Sequence, residues 1–170
     1  PYADLWIAET IASLEELNAI IPVTRQSSKP CFYAFTLSDD NSKGPTLRSG
    51  QSVKSAVALA AAAGAAGVLF NCSVPEAMSA ALTQAKEALS DDSSTLLLGL
   101  YANNFAPIGT EHLANSQEMG IRELTPQQYL EYAKTWYEQG TSIVGGCCGI
   151  GPEHIDALRQ WQQANTPDGQ

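Results

Sequence analysis

Cys147 and Cys148 stand side by side in the run Ser142-Ile143-Val144-Gly145-Gly146-Cys147-Cys148-Gly149-Ile150-Gly151-Pro152-Glu153-His154. In an extended strand neighbouring side chains face opposite ways, so adjacent cysteines cannot both enter one core. Glycines on either side leave the backbone free to turn both sulfurs toward one point. Two converging thiolates suit a soft metal, zinc above all. Zinc asks for at least a third protein ligand. Cys72 is the candidate: it ends the apolar run Gly67-Val68-Leu69-Phe70-Asn71 and precedes a helix opened by Pro75. In a parallel α/β sheet or barrel the strand C-termini share one face, which puts Cys72 on a rim with Cys147 and Cys148. Three thiolates leave one tetrahedral position open, the mark of a reactive zinc. Two plainer readings stay open from the residues alone. The pair is a set of small buried hydrophobes, or an oxidised vicinal disulfide with a redox role. Cys31, at the start of a strand and so at the opposite end, reads as a core or surface thiol.

Asn71-Cys72, together with Gly145-Gly146-Cys147-Cys148-Gly149 and the following Pro152-Glu153-His154-Ile155, resembles the zinc motif of the homocysteine S-methyltransferases. The resemblance implies a (β/α)8 TIM-barrel fold, a Zn2+ cofactor and two small-molecule partners, homocysteine and a methyl donor. It implies transfer of a methyl group from S-methylmethionine or S-adenosylmethionine to the homocysteine thiolate, giving methionine. Betaine and methylfolate users share the cysteine motif. Glu9-Thr10-Ile11 resembles the family's strand-four Glu-Thr-Ile, whose carboxylate holds the amino group of homocysteine; Ala8 stands where an aromatic is common. Tyr101-Ala102-Asn103 resembles the family's Tyr-Pro-Asn, which makes Asn103 a substrate contact. Asn71 is expected to fix the loop or hydrogen-bond the substrate, its other reading being a polar strand terminator. His154 reads as a helix-surface histidine, and His112 has no evident partner. The glycines from Gly145 to Gly151 lack the lysine of a P-loop and the spacing of a dinucleotide fingerprint.

The elements that must position these residues follow from the apolar pattern. Strands are expected at Leu5 to Glu9, Cys31 to Thr36, Gly67 to Asn71, Thr95 to Tyr101 and Thr141 to Val144. Between them lie helices with clear start signals. Ser13 with Glu16 suggests a capping box, Ser52 caps an alanine-rich helix that stops at Gly64, and Pro75, Thr125-Pro126 and Pro152 open three more. Ser90 to Ser94 reads as a loop, and Ala102 to Leu124 has no periodicity. Strand and helix therefore alternate five times, which implies a parallel sheet with helical crossovers. A closed (β/α)8 barrel needs eight such units and about 250 residues. The resemblance makes Leu5 to Glu9 the fourth strand. Residues 1–170 are then expected to be the C-terminal part of a barrel domain, its three N-terminal βα units absent. A complete five-stranded doubly wound domain is the alternative that periodicity leaves open.

The formal net charge of −9 over 170 residues argues against nucleic-acid and anionic-membrane partners, which call for basic patches. The longest apolar run, Ala56 to Phe70, is broken at Gly64 and Gly67 and is too short to span a bilayer. Four cysteines without regular spacing do not make a disulfide framework. Reduced thiols in a cytoplasmic protein are the expectation. Open barrel edges would favour self-association, and a zinc-binding fragment without turnover is the rival to an active enzyme.

Overall fold

The computed structural model describes residues 2–89, 96–108 and 120–165. Five strands alternate with five helices: β1 Trp6–Ile11, α1 Leu14–Thr24, β2 Cys31–Thr36, α2 Val53–Ala62, β3 Gly67–Asn71, α3 Pro75–Ala88, β4 Leu97–Tyr101, α4 Pro126–Glu138, β5 Ile143–Val144 and α5 Pro152–Asn165. All neighbouring strands are parallel, and their order in the sheet is the order of the chain, β1-β2-β3-β4-β5. A doubly wound sheet reverses its order part-way to put helices on both faces. This sheet never reverses, so the five-stranded doubly wound alternative does not hold.

Period-two alternation sorts the strand side chains into two sets. Tyr33, Phe35, Val68, Phe70, Leu98 and Leu100 pack with Leu17, Val57, Met78, Leu82, Tyr129 and Trp136 of the first four helices in one large core. Phe32, Ala34 and Leu69 form a smaller cluster with Tyr101 and Ile143 on the opposite face. On that face bulky side chains sit over glycines of the next strand. A Cβ on Gly67 would run into the Phe32 ring, and one on Gly99 would run into Leu69 and approach Ile143 Cβ at 2.9 Å.

The helix starts follow the expected signals. The Ser13 hydroxyl accepts from Glu16 N, while the Glu16 carboxylate reaches Ala12 N at 2.6 Å rather than closing on the cap itself. Thr125 and Gln128 form a reciprocal capping box on α4. Helix α3 has Val74 as its N-cap, with no side-chain hydrogen bond to cap it. Among the described residues no helix is long and apolar enough to cross a membrane.

Three expectations need adjusting. Strand β1 runs on to Ile11 and carries a register shift between Ala8 and Ile11, where three steps on β1 match two on β2, from Tyr33 to Phe35. Strand β5 has only two ladder residues; ahead of it, Thr141 Oγ1 and Ser142 N both donate to Leu98 O. The segment after β4 is ordered at both ends: Phe105 and Ile121 form an antiparallel bridge, flanked by Ala106 N to Gly120 O at 2.7 Å and Arg122 N to Asn104 O at 2.9 Å. The loop at Ser90 to Ser94, the expected strand start at Thr95, and His112 lie outside the described residues.

Candidate metal centre

At the C-terminal end of β3 the chain turns through Cys72 with φ +49°. A left-handed conformation at a residue with a Cβ costs about 1–2 kcal/mol. The turn is held from several sides. Cys72 N donates to Tyr101 O at 3.3 Å, and Thr36 Oγ1 donates to Cys72 O at 3.3 Å. The next residue, Ser73, is fully buried; its hydroxyl accepts from Leu37 N at 2.7 Å and donates to Asn71 O at 2.9 Å, and its carbonyl accepts from Asn103 N at 3.0 Å.

The turn after β5 is held just as closely. Gly145 N extends the ladder to Leu100 O at 3.0 Å, Cys147 N donates to Ala102 O at 2.9 Å, and Cys148 O accepts from Asn104 N at 2.8 Å. Gly149 sits at φ +76°, and a Cβ there would lie 2.9 Å from Asn104 Cβ. Buried Tyr129 braces the turn from below: its hydroxyl donates to Gly145 O at 2.7 Å and accepts from Ala102 N at 3.0 Å. Burial pushes that phenol's pKa up, so it remains a donor.

These two turns bring three sulfurs together. Cys72 Sγ lies 3.7 Å from Cys148 Sγ, Cys148 Sγ lies 3.9 Å from Cys147 Sγ, and all three fall within 4.8 Å of one another. A tetrahedral ion with bonds of about 2.3 Å to sulfur spaces its ligands about 3.8 Å apart, so the set fits a soft metal. All four cysteines are free thiols, and Cys31 is buried away from the group. The hydrogen bond from the Cys72 thiol, working against desolvation, lowers the Cys147 pKa to about 6. The same contact, with burial, pushes Cys72 up. Without a cation the cluster thus gives up its first proton easily and holds the next, as three sulfurs in one place must.

The sequence profile of the family described as homocysteine S-methyltransferase matches residues 1–161. The chain belongs to that family. A selenocysteine methyltransferase of Astragalus bisulcatus is 28% identical over 159 residues, spanning 92% of this chain and 38% of the relative. The homocysteine S-methyltransferase YbgG of Bacillus subtilis is 37% identical over 38 residues, 22% of this chain and 12% of the relative. The chain therefore spans well under half the length of either relative.

In this homocysteine S-methyltransferase family member the other sequence-derived candidates line the same strand ends. Glu9 is exposed, and its Oε1 accepts from the Tyr101 hydroxyl at 3.0 Å. Burial, then the Glu9 contact, pushes Tyr101 up, so its hydroxyl keeps its proton. Glu9 and Thr10 occupy the register shift of β1, and Thr10 has φ +59°. A bulge at this position re-aims a side chain that a regular strand would direct elsewhere. Asn71 is 2% exposed; its Nδ2 donates to Thr10 Oγ1 at 2.9 Å, and its Oδ1 has no hydrogen-bond partner. Asn103 is buried, and its Oδ1 accepts from Phe105 N at 3.2 Å, leaving its amide nitrogen for other use. His154 is not on the helix surface. It is 8% exposed, with Nδ1 accepting from Gly151 N at 3.2 Å and Nε2 at 2.8 Å from Leu124 O, edge-on to Tyr129. That pattern makes it a staple between α5 and the segment before α4. Sequence reasoning missed Tyr129 and Thr10. Nothing in a helical pattern marks Tyr129 as more than core, but the threonine's place beside a strand-end carboxylate was a usable signal.

Proposed function

We propose that this protein transfers a methyl group from a sulfonium donor, S-methylmethionine or S-adenosylmethionine, to the thiolate of homocysteine, with a zinc ion held by Cys72, Cys147 and Cys148. The observation that carries this reading is the approach of three cysteine sulfurs to within 4.8 Å from two separate strand ends. A zinc ion held by these three thiolates would favour the deprotonated form of an incoming thiol, which otherwise keeps its proton to a pKa of about 8.5. The remaining work falls to side chains of the rim. The Glu9 carboxylate, braced by Tyr101, binds the ammonium of homocysteine by charge-assisted hydrogen bonding. Asn71, with a buried and unpartnered carbonyl oxygen, and the free amide of Asn103 complete the polar contacts to the amino acid. The acceptor sulfur attacks the methyl carbon. A new C–S bond forms, the donor's C–S bond breaks, and its electron pair stays on the donor sulfur, which becomes a neutral thioether. Because charge is lost from the donor, a site shielded from water favours the step.

The same reading makes residues 1–170 the C-terminal part of a (β/α)8 barrel, with three further βα units preceding them. The sequential strand order supports it, as does the packing of the described helices against one face of the sheet. So does the edge at β1, where Trp6 and Ile7 are about half exposed. Those units would cover that edge. Alone, the chain is expected to self-associate through it. A second acceptor has one specific support, the plant relative named a selenocysteine methyltransferase. A selenolate is softer than a thiolate and suits the same three-sulfur set.

The test is metal content and turnover together. Freshly reduced protein prepared without chelator should carry about one zinc per chain, and Cys72→Ser should lose it. Methyl transfer is then measured with homocysteine and selenocysteine in competition, on this chain and on one extended at its N-terminus. Protein devoid of zinc under these conditions refutes the metal assignment. Zinc without transfer in either form refutes the reaction.

A further inference from the structure

Asp39 lies between β2 and α2, and its side chain is 3% exposed although no step above uses it. A carboxyl group at that depth persists only where donors surround it. Its three donors come from different segments of the rim. Ile108 N donates to Oδ2 at 3.0 Å, Val74 N to Oδ1 at 3.4 Å, and the Arg48 guanidinium reaches Oδ2 at 3.4 Å. Val74 is the N-cap of α3 and brings no side-chain cap of its own. The carboxylate of Asp39, from another loop, accepts instead from the N-cap's own N–H, one of the donors the helix leaves unsatisfied, and the helix dipole also favours a negative group there. Val74 lies two residues beyond Cys72. Ile108 follows a few residues after the members of its stretch that bind the other sulfurs' turn, through Ala102 O to Cys147 N and Asn104 N to Cys148 O. One carboxylate thus ties the turn bearing Cys72 to the segment that holds Cys147 and Cys148.

We infer that Asp39 is a positioning residue that sets the spacing between Cys72 and the Cys147–Cys148 pair by joining the turn that carries Cys72 to the segment that holds the turn of the other two. Its effect on metal affinity rests on the zinc reading above; the spacing itself does not. Groups that orient ligands from outside typically change metal affinity ten- to a hundred-fold. Asp39→Ala removes both acceptors, whereas Asp39→Asn keeps one oxygen in nearly the same shape and should lose less.

Two measurements test this. In the first, zinc affinity is read by competition with a chromophoric chelator, and Asp39→Ala should weaken it by roughly ten- to a hundred-fold, with Asp39→Asn between it and the parent. In the second, reduced metal-free protein is treated with diamide, which takes two electrons and two protons from a pair of thiols to leave a disulfide. Peptide mapping then gives the yield of bridges from Cys72 to Cys147 or Cys148 against the vicinal bridge. In the parent Cys148 Sγ is about equally near Cys72 Sγ, at 3.7 Å, and Cys147 Sγ, at 3.9 Å, so both bridges should form, and Asp39→Ala should lower the share of the long-range one several-fold. Ile21→Val, in the last turns of α1, is a control that loosens the core and should change neither readout. An unchanged bridge ratio in Asp39→Ala, or an equal loss in Ile21→Val, overturns the inference whatever the metal does. If Asp39→Ala does not fold, Asp39→Asn against Ile21→Val decides by the same ratio. A parent that binds no zinc but whose bridge ratio depends on Asp39 would sink the zinc reading and leave the positioning role standing.

Discussion

Tyr129→Phe removes a single oxygen from a fully buried ring that otherwise keeps its edge contacts with Trp136 at 5.7 Å and His154 at 6.0 Å. That oxygen accepts from Ala102 N and donates to Gly145 O. Ala102 is buried, so its N–H is left without a partner, at a cost of about 1–3 kcal/mol. Gly145 is only half-buried, so water can replace the lost donor there and the net loss is nearer 1 kcal/mol. The sum is about 2–4 kcal/mol. At roughly 2–4 °C per kcal/mol for a chain of this length, Tm should fall by about 4–16 °C. Thermal and urea unfolding of metal-free protein measure it. Tyr132→Phe is the comparison: among the described residues its hydroxyl reaches only the exposed Glu76 carboxylate at 3.0 Å, and its loss should stay near 0.5 kcal/mol. Equal effects for the two variants, or a shift under about 1 °C for Tyr129→Phe, would refute the argument that this hydroxyl anchors the turn below Cys147.

Cys72→Gly should stabilise the metal-free protein by about 1 kcal/mol relative to Cys72→Ala, because only glycine takes φ +49° without strain; urea midpoints compare them. Glu9→Gln should weaken kcat/KM for homocysteine by roughly ten- to a hundred-fold, the worth of a hydrogen bond between charged partners, with little change for an acceptor lacking the ammonium. The pH dependence of the metal-free protein follows from the sulfurs. Cys147 is lowered to about 6, below its unfolded value, so its contribution is present above about 8.5 and is lost as pH falls through 6. Cys72 is raised, so its contribution begins to fade as pH climbs past that same unfolded value. Urea midpoints should therefore rise from pH 5 to a maximum near 8.5, and a flat profile would contradict the thiol contact between Cys72 and Cys147.

The sulfur cluster was readable because each cysteine follows an apolar run and precedes a helix-opening proline, Pro75 or Pro152. Such punctuation marks a strand end, and parallel strands put their ends together. The alternation of elements gave the parallel sheet for the same reason. What escaped depends on pairs of segments. The bulge at Glu9 and Thr10 exists only as a mismatch between β1 and β2, and neither strand's own pattern contains it. His154 is buried because Leu124, thirty positions earlier, brings a carbonyl to its ring. The pairing of Phe105 with Ile121 closes a segment whose own residues show no period. The strand order that excludes a doubly wound sheet is likewise a relation among all five strands.

The sulfurs come from β3 and β5, and β4 lies between them. No stretch shorter than residues 72–148 contains the whole set, and its last two members are made only after β4 and β5. A cation captured by all three would therefore bind the ends of β3 and β5 to each other across β4, so that metal uptake would report the closing of this part of the sheet.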